Sequence, residues 1–250
     1  MAKIGLQLYT IREEAQKDFF GTLRRVAEMG YDGVEFAGYY DTPARELRAT
    51  LDDLGLEAAG THIGVDRLEK SLPAEIAYAR AINCPAIVCP GFWGVDYSDI
   101  NTFIRMGQLF DRVGASCRAE GLRFLYHVHG HEFVTFDGQY GLDVMLARID
   151  PAHMTLEPDT YWIEKAGLDA LAFFQTYGER CAYIHCKDMK DRQSWRDTEV
   201  GAGALDFPAI LRQGQRLGIT WYIVEQEAFD RPMMESVAIS LKNLRALAAA

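Results

Sequence analysis

The chain of 250 residues is short of positive charge: 26 Lys and Arg stand against 36 Asp and Glu, a formal net charge of −10. A nucleic-acid binder carries a basic stripe or patch, and this balance opposes one. Cysteine is sparse. Cys84, Cys89, Cys117, Cys181 and Cys186 are odd in number, scattered, and never spaced as Cys-x-x-Cys. That pattern argues against a disulfide framework and indicates reduced thiols in a cytoplasmic protein. Long apolar runs are missing, so no membrane span is expected. The opening Met1-Ala2-Lys3-Ile4-Gly5-Leu6 passes straight into a strand without the apolar core of a signal peptide. No Gly-x-Gly-x-x-Gly turn follows that strand, which removes the dinucleotide-binding fingerprint.

What the chain does have is strand and helix in regular alternation. Short apolar strands are expected at 4–8, 33–37, 56–62, 86–89, 122–128, 154–157, 182–187 and 221–224. Between them lie segments with helical spacing: 17–29, a helix to Leu54 opened by Thr42 and Pro43, 71–82, 99–119, 142–149, 168–177, 206–217 and 233–247. Glycines 30, 55, 121, 178 and 218 punctuate the helix-to-strand junctions. Eight strand–helix pairs within 250 residues match one parallel (β/α)8 barrel, with residues 1–250 forming a single domain. A doubly wound open sheet is the rival fold.

In such a barrel the chemistry sits at the C-terminal ends of the strands. Reading each end gives Glu35, His62, then His127, His129 and Glu132, then Glu157 and Asp159, His185 and Lys187, and Glu225 and Glu227. The densest stretch is Tyr126-His127-Val128-His129-Gly130-His131-Glu132-Phe133. Imidazoles and carboxylates packed this closely are unfavourable in a core unless something uses them, and both are ligands of divalent ions. Four of these residues, Glu132, Asp159, His185 and Glu225, come from four successive strands and compose a candidate metal site. Three carboxylates in one pocket repel one another unless a cation is present. Standing alone, each has a plainer reading: His185 as a satisfied core histidine, Asp159 as a turn residue after Pro158.

The sequence resembles the xylose-isomerase-like barrel superfamily, the group of sugar phosphate isomerases and epimerases. The likeness is carried by Gly5-Leu6-Gln7-Leu8-Tyr9-Thr10-Ile11-Arg12, Gly30-Tyr31-Asp32-Gly33-Val34-Glu35-Phe36-Ala37 and Gly60-Thr61-His62. It continues in the 126–133 stretch, Asp159-Thr160-Tyr161-Trp162, His185-Cys186-Lys187-Asp188-Met189 and Val224-Glu225-Gln226. The resemblance implies that Glu132, Asp159, His185 and Glu225 hold one divalent ion, Mn²⁺ first among Mn²⁺, Mg²⁺, Co²⁺ and Zn²⁺. Two departures stand out. Val128 replaces the Asn of a Tyr-His-Asn-His pattern, and Val200-Gly201-Ala202-Gly203 lacks the glutamate of a Val-Gly-Glu-Gly pattern.

The expected activity is a divalent-metal-dependent sugar isomerase or epimerase acting on a ketose or keto-sugar. The ion polarises a carbonyl, and Glu132 and Glu225 move a proton through a metal-bound cis-enediolate. Glu35, His62, His127, Lys187 and Trp93 are candidates for substrate contacts. A plain salt bridge from Lys187 to Glu157 is the competing role for that lysine. The first alternative is a metal-dependent dehydratase or lyase on an inosose or 3-keto-glycoside. An endonuclease IV-like phosphodiesterase is disfavoured by the charge and by only six histidines. A non-catalytic sugar-binding barrel is the remaining class. The expected partner is a small sugar, and barrels of this type commonly self-associate, which leaves a homo-oligomer open.

Overall fold

In the computed structural model, which describes residues 2–249, eight parallel strands alternate with helices. The strands are β1 Lys3–Gln7, β2 Gly33–Phe36, β3 Glu57–His62, β4 Ala86–Cys89, β5 Arg123–Val128, β6 Thr155–Pro158, β7 Tyr183–Cys186 and β8 Trp221–Val224. They are hydrogen-bonded in the order β6-β5-β4-β3-β2-β1-β8-β7. The ring is closed between β6 and β7 by the bridges Leu156↔Cys181 and Asp159↔His185. This is a (β/α)8 barrel, and its last bridge joins two of the site residues expected from the sequence.

The strands read as unbroken apolar runs because both faces are covered. Ala86-Ile87-Val88-Cys89 and Trp221-Tyr222-Ile223-Val224 are buried at every position. Inside the barrel, Ala59, Val88, Leu125, Tyr183, Trp221 and Ile223 form their own apolar cluster. Small residues on neighbouring strands make room for its large rings. A Cβ at Gly33 would lie 2.7 Å from Cη2 of the Trp221 ring. The larger core lies between the sheet and the outer helices.

Several helix ends follow directly from sequence chemistry. Asp18, Asp99 and Asp206 each cap a helix by accepting a backbone N–H, from Gly21, Asn101 and Ala209 respectively. Gly30, Gly55 and Gly218 close three helices in the left-handed region. The helix Ala44–Leu54 differs from expectation: Pro43 holds the cap position with no side-chain bond, and Thr42 instead lends its carbonyl to the Tyr78 hydroxyl at 2.6 Å. Three six-residue helices, Arg12–Lys17, Val65–Lys70 and Thr160–Lys165, are too short to show a helical period in sequence. Two small hairpins add to the C-terminal rim, pairing Thr135–Phe136 with Gln139–Tyr140 and Asp188–Met189 with Asp197–Thr198. Among the described residues, no helix is long and apolar enough to cross a membrane.

Candidate active site

The C-terminal strand ends open into a cavity of about 510 Å³ whose walls include His62, Trp93, His127, His129, Trp162 and Glu225. At its floor two groups of side chains converge. His127, Asp159, His185 and Glu225 each offer one ligand atom, all within 4.8 Å of one another and all buried. His62, His127, Glu157 and His185 form a second group of the same kind. The two groups share His127 and His185, which link an upper layer to a lower one.

Strand register explains the convergence. His127 on β5 stands opposite Glu157 on β6, and its Nδ1 lies 3.2 Å from Glu157 Oε2. Its other nitrogen, Nε2, lies 3.9 Å from Asp159 Oδ2. His185 on β7 behaves alike with the nitrogens exchanged. Its Nδ1 is 2.7 Å from Glu225 Oε2, and its Nε2 is 2.7 Å from Glu35 Oε2 and 3.2 Å from Glu157 Oε2. Below, Gln7 on β1 pairs with Glu35 on β2, donating from Nε2 to Glu35 Oε2 at 2.8 Å. Gly60 gives the Glu35 carboxylate its space, since a Cβ there would lie 2.6 Å from Glu35 Oε1.

Asp159 is oriented by the helix it starts. Its Oδ1 accepts the N–H groups of Tyr161 (2.8 Å) and Trp162 (3.0 Å), the N-cap arrangement. The second oxygen, Oδ2, is buried without any partner. An orphaned carboxylate oxygen in a dry site is costly, and a cation is the natural way to satisfy it. Two imidazole nitrogens and two carboxylate oxygens are a donor set suited to a borderline divalent ion. The residues present therefore fit a metal.

The electrostatics separate the two layers. In the lower layer, burial works against ionising Glu157, yet His185 and His127 bring its carboxyl down to about 2. Glu35 is likewise held well below the usual range against burial, by the charges of His62 and His185. His62 answers them: although burial opposes its charge, Glu35 and Glu157 raise it to about 9. In the upper layer burial pushes Asp159 up to about 7. Burial also opposes charge on Glu225, but the His185 hydrogen bond and charge bring it to about 2. Burial lowers His129, a cavity-wall residue, to about 3, so it stays neutral.

Lys187 is buried beside this layer and does not pair with Glu157. Its Nζ lies 2.7 Å from Glu227 Oε1 and 3.9 Å from Asp197 Oδ2, and 4.9 Å from the centroids of the Tyr161 and Trp162 rings. Trp93 stands at the mouth, 58% exposed, with its ring 5.3 Å from that of His129.

Three of the four expected ligands, Asp159, His185 and Glu225, meet in one group. Glu132 does not join them. It lies in a 3-10 turn, His131–Phe133, beyond the end of β5, where its Oε1 accepts the Tyr126 hydroxyl. The fourth member of the group is His127, which the sequence suggested as a substrate contact. Glu35, another expected substrate contact, is fully buried under His62 and His185. Glu157 was read from the sequence only as a strand-end carboxylate and a possible partner of Lys187, and Gln7 was given no part in the site. The register match of Glu157 with His127 was the available signal, but it needs the strand pairing to be seen.

The family model described as the xylose isomerase-like TIM barrel matches residues 23–248, and the chain belongs to that family. Among curated relatives, an inosose dehydratase from Geobacillus kaustophilus is 26% identical over 244 residues, spanning 82% of this chain and 79% of the relative. Among solved structures, a sugar phosphate isomerase/epimerase from Parabacteroides distasonis superposes with a TM-score of 0.82 at 23% identity, covering 100% of this chain and 95% of that one. A D-psicose 3-epimerase from Clostridium cellulolyticum, described with D-tagatose, superposes with a TM-score of 0.75 at 15% identity, covering 98% and 99%. The family is one of enzymes, and these relatives divide between dehydration and epimerisation.

Proposed function

We propose that the protein is a divalent-metal-dependent enzyme that moves a proton at the carbon beside a carbonyl of a ketose or keto-sugar, as an isomerase or epimerase. The observation that carries this reading is the orphaned Oδ2 of Asp159, buried within reach of His127, His185 and Glu225 at the floor of an open cavity. Those four residues would hold the ion, with His127 in the position first expected for Glu132. When bound, a divalent ion (Mn²⁺ is the first candidate) supplies Lewis-acid polarisation of the substrate carbonyl.

The remaining chemistry belongs to the chain. Glu225, which as a ligand would be an anion beside the ion, is the base that takes the proton from the adjacent carbon and returns it to carbon to complete the reaction. Lys187 holds positive charge beside Glu225 and Asp159 and supports both as anions. Glu35 and Glu157 fix the orientation of His185 and His127 from below. His62 faces the cavity and is placed to meet a substrate hydroxyl. Tyr9, Trp93 and Trp162 form an apolar rim that packs against sugar C–H groups and restricts water. The five cysteines are free and buried, which supports a reducing, cytoplasmic setting.

The second reading keeps the proton removal and changes its outcome. If the proton taken by Glu225 is passed to a β-hydroxyl, which leaves as water while a C=C bond forms, the enzyme is a dehydratase, and the likeness to an inosose dehydratase favours this branch. A screen of ketoses, inososes and 3-keto-glycosides in D₂O with added Mn²⁺ tests the proposal. Deuterium incorporation without loss of water marks an isomerase or epimerase. Incorporation coupled to a new conjugated product marks a dehydratase. Absence of exchange across the screen with the metal bound would overturn both.

A further inference from the structure

The loop that follows β7 closes on a carboxylate of its own chain. Asp188 is buried, and its Oδ2 accepts the N–H groups of Gly201 and Gly203, each at 3.0 Å. Its Oδ1 accepts those of Met189 at 2.8 Å and Leu205 at 3.2 Å. Backbone N–H groups gathered in this way form an anion cradle, and the loop after the seventh strand is where barrels commonly hold a phosphate. Here the cradle is filled from within. Gly201 takes a φ of +78°, and a Cβ at Gly203 would collide with the Asp188 carboxylate, so the glycines serve this internal contact.

The cavity itself offers nothing to replace it. Among the described residues, no Arg or Lys lines the cavity, whereas Glu225 and Glu227 do. Lys187 is engaged by Glu227 and Asp197. Arg12 lies over the Tyr9 ring at 4.4 Å and donates to the Tyr9 carbonyl at 2.9 Å. Lys165 lies over the Trp162 ring at 4.6 Å and donates to the Tyr161 hydroxyl at 3.2 Å. What the walls do present is a pair of buried polar atoms without partners, Trp162 Nε1 and His129 Nδ1, on rings 5.6 Å apart. The indole N–H can only donate. A substrate hydroxyl can accept from the indole N–H and can donate to an imidazole nitrogen that carries no proton.

We infer that the substrate is an uncharged polyhydroxy ketone rather than a sugar phosphate, and that Trp162 Nε1 and His129 Nδ1 form its hydroxyl-binding subsite. The inference rests on the proton-transfer reading for its substrate class; the filled anion cradle stands apart from it. Lys187 is already paired with Glu227 and Asp197, and His62 with Glu35 and Glu157, so among the described residues a phosphate would find no unpaired cationic side chain at the cavity wall.

The test uses Mn²⁺-loaded full-length protein with matched ketoses and ketose phosphates, read by deuterium incorporation, and a separate calorimetric titration with inorganic phosphate. The neutral substrates are expected to exchange with kcat/KM at least about 100-fold above their phosphates. Inorganic phosphate is expected to give no binding heat in the millimolar range. Trp162→Phe keeps the ring and removes the donor, and should lower kcat/KM for the neutral substrate about tenfold with Mn²⁺ affinity unchanged. Exchange of the phosphates as fast as the neutral sugars, or millimolar binding of inorganic phosphate, would overturn the inference and leave the proton-transfer reading standing. Exchange of neither class with Mn²⁺ bound would overturn that reading and the substrate class with it, while the phosphate titration still decides the cradle.

Discussion

His185 Nδ1 lies 2.7 Å from Glu225 Oε2. The opposite nitrogen of the same ring is 2.7 Å from Glu35 Oε2, so the imidazole is tied from below and presents its other nitrogen upward. A carboxylate behind a histidine fixes its tautomer and raises its basicity as a ligand. His127 repeats the arrangement with Glu157 behind Nδ1 and Asp159 before Nε2.

The lower carboxylates should therefore govern metal affinity without touching the ion. Glu157→Gln is expected to weaken Mn²⁺ binding by roughly 10- to 100-fold, the usual effect of removing such a partner. Calorimetric titration of the variant checks this. An affinity equal to that of the unaltered protein would mean that Glu157 does not orient the ligands.

Glu225→Gln should lower deuterium incorporation at the substrate carbon by about 10²- to 10⁴-fold, the range for loss of a general base. The circular dichroism spectrum should not change. Normal wash-in by this variant would remove Glu225 as the base.

Glu132→Gln separates the two candidate ligand sets. Glu132 lies outside the group formed by His127, Asp159, His185 and Glu225, so Mn²⁺ affinity should be retained. Its stability should also change with pH in a defined direction. Burial raises the folded carboxyl from 4.5 to about 7. The stabilising contribution of the protonated group is thus complete below 4.5 and lost as pH rises through 7. The variant should accordingly gain stability over the parent between pH 5 and pH 8, by up to about 3 kcal/mol. Denaturant melts at the two pH values provide the check; a gap that narrows toward pH 8 would contradict the assignment.

How far the sequence reveals this site depends on what fixes each residue. The strands Ala86–Cys89 and Trp221–Val224 were legible because parallel strands covered on both faces are apolar throughout. Asp159 and Glu225 stand just past strand ends and His185 one residue before one, and barrel chemistry collects there, so strand-end reading finds all three. The 126–133 stretch was harder. His127 holds the same next-to-last place in its strand as His185, but whether it meets a substrate or joins the carboxylates depends on its opposite number Glu157, which only the strand pairing reveals. Glu132 lies in a turn whose direction no periodicity encodes. The double role of Asp159, cap with one oxygen and candidate ligand with the other, rests on the helix Thr160–Lys165, too short to be read from sequence.

Burial also controls the cysteines. It pushes the thiols of Cys84, Cys89, Cys117 and Cys181 from 9.0 up to about 12. A disulfide-exchange reagent at pH 8 should therefore find few reactive thiols in the folded protein and all five after denaturation. The same shifts make stability fall as pH rises from 9 toward 12, because only the unfolded chain ionises there. Rapid modification of several thiols without unfolding would contradict their burial.

The central claim is that β5 to β8 deliver His127, Asp159, His185 and Glu225 to one divalent ion. Equilibrium Mn²⁺ titration, followed by the electron paramagnetic resonance signal of the free ion, measures it directly on the parent protein and on Asp159→Asn. The account predicts one tight site per chain in the parent and its loss in the variant. A parent that retains no ion, or a variant that binds it as tightly, would contradict the account.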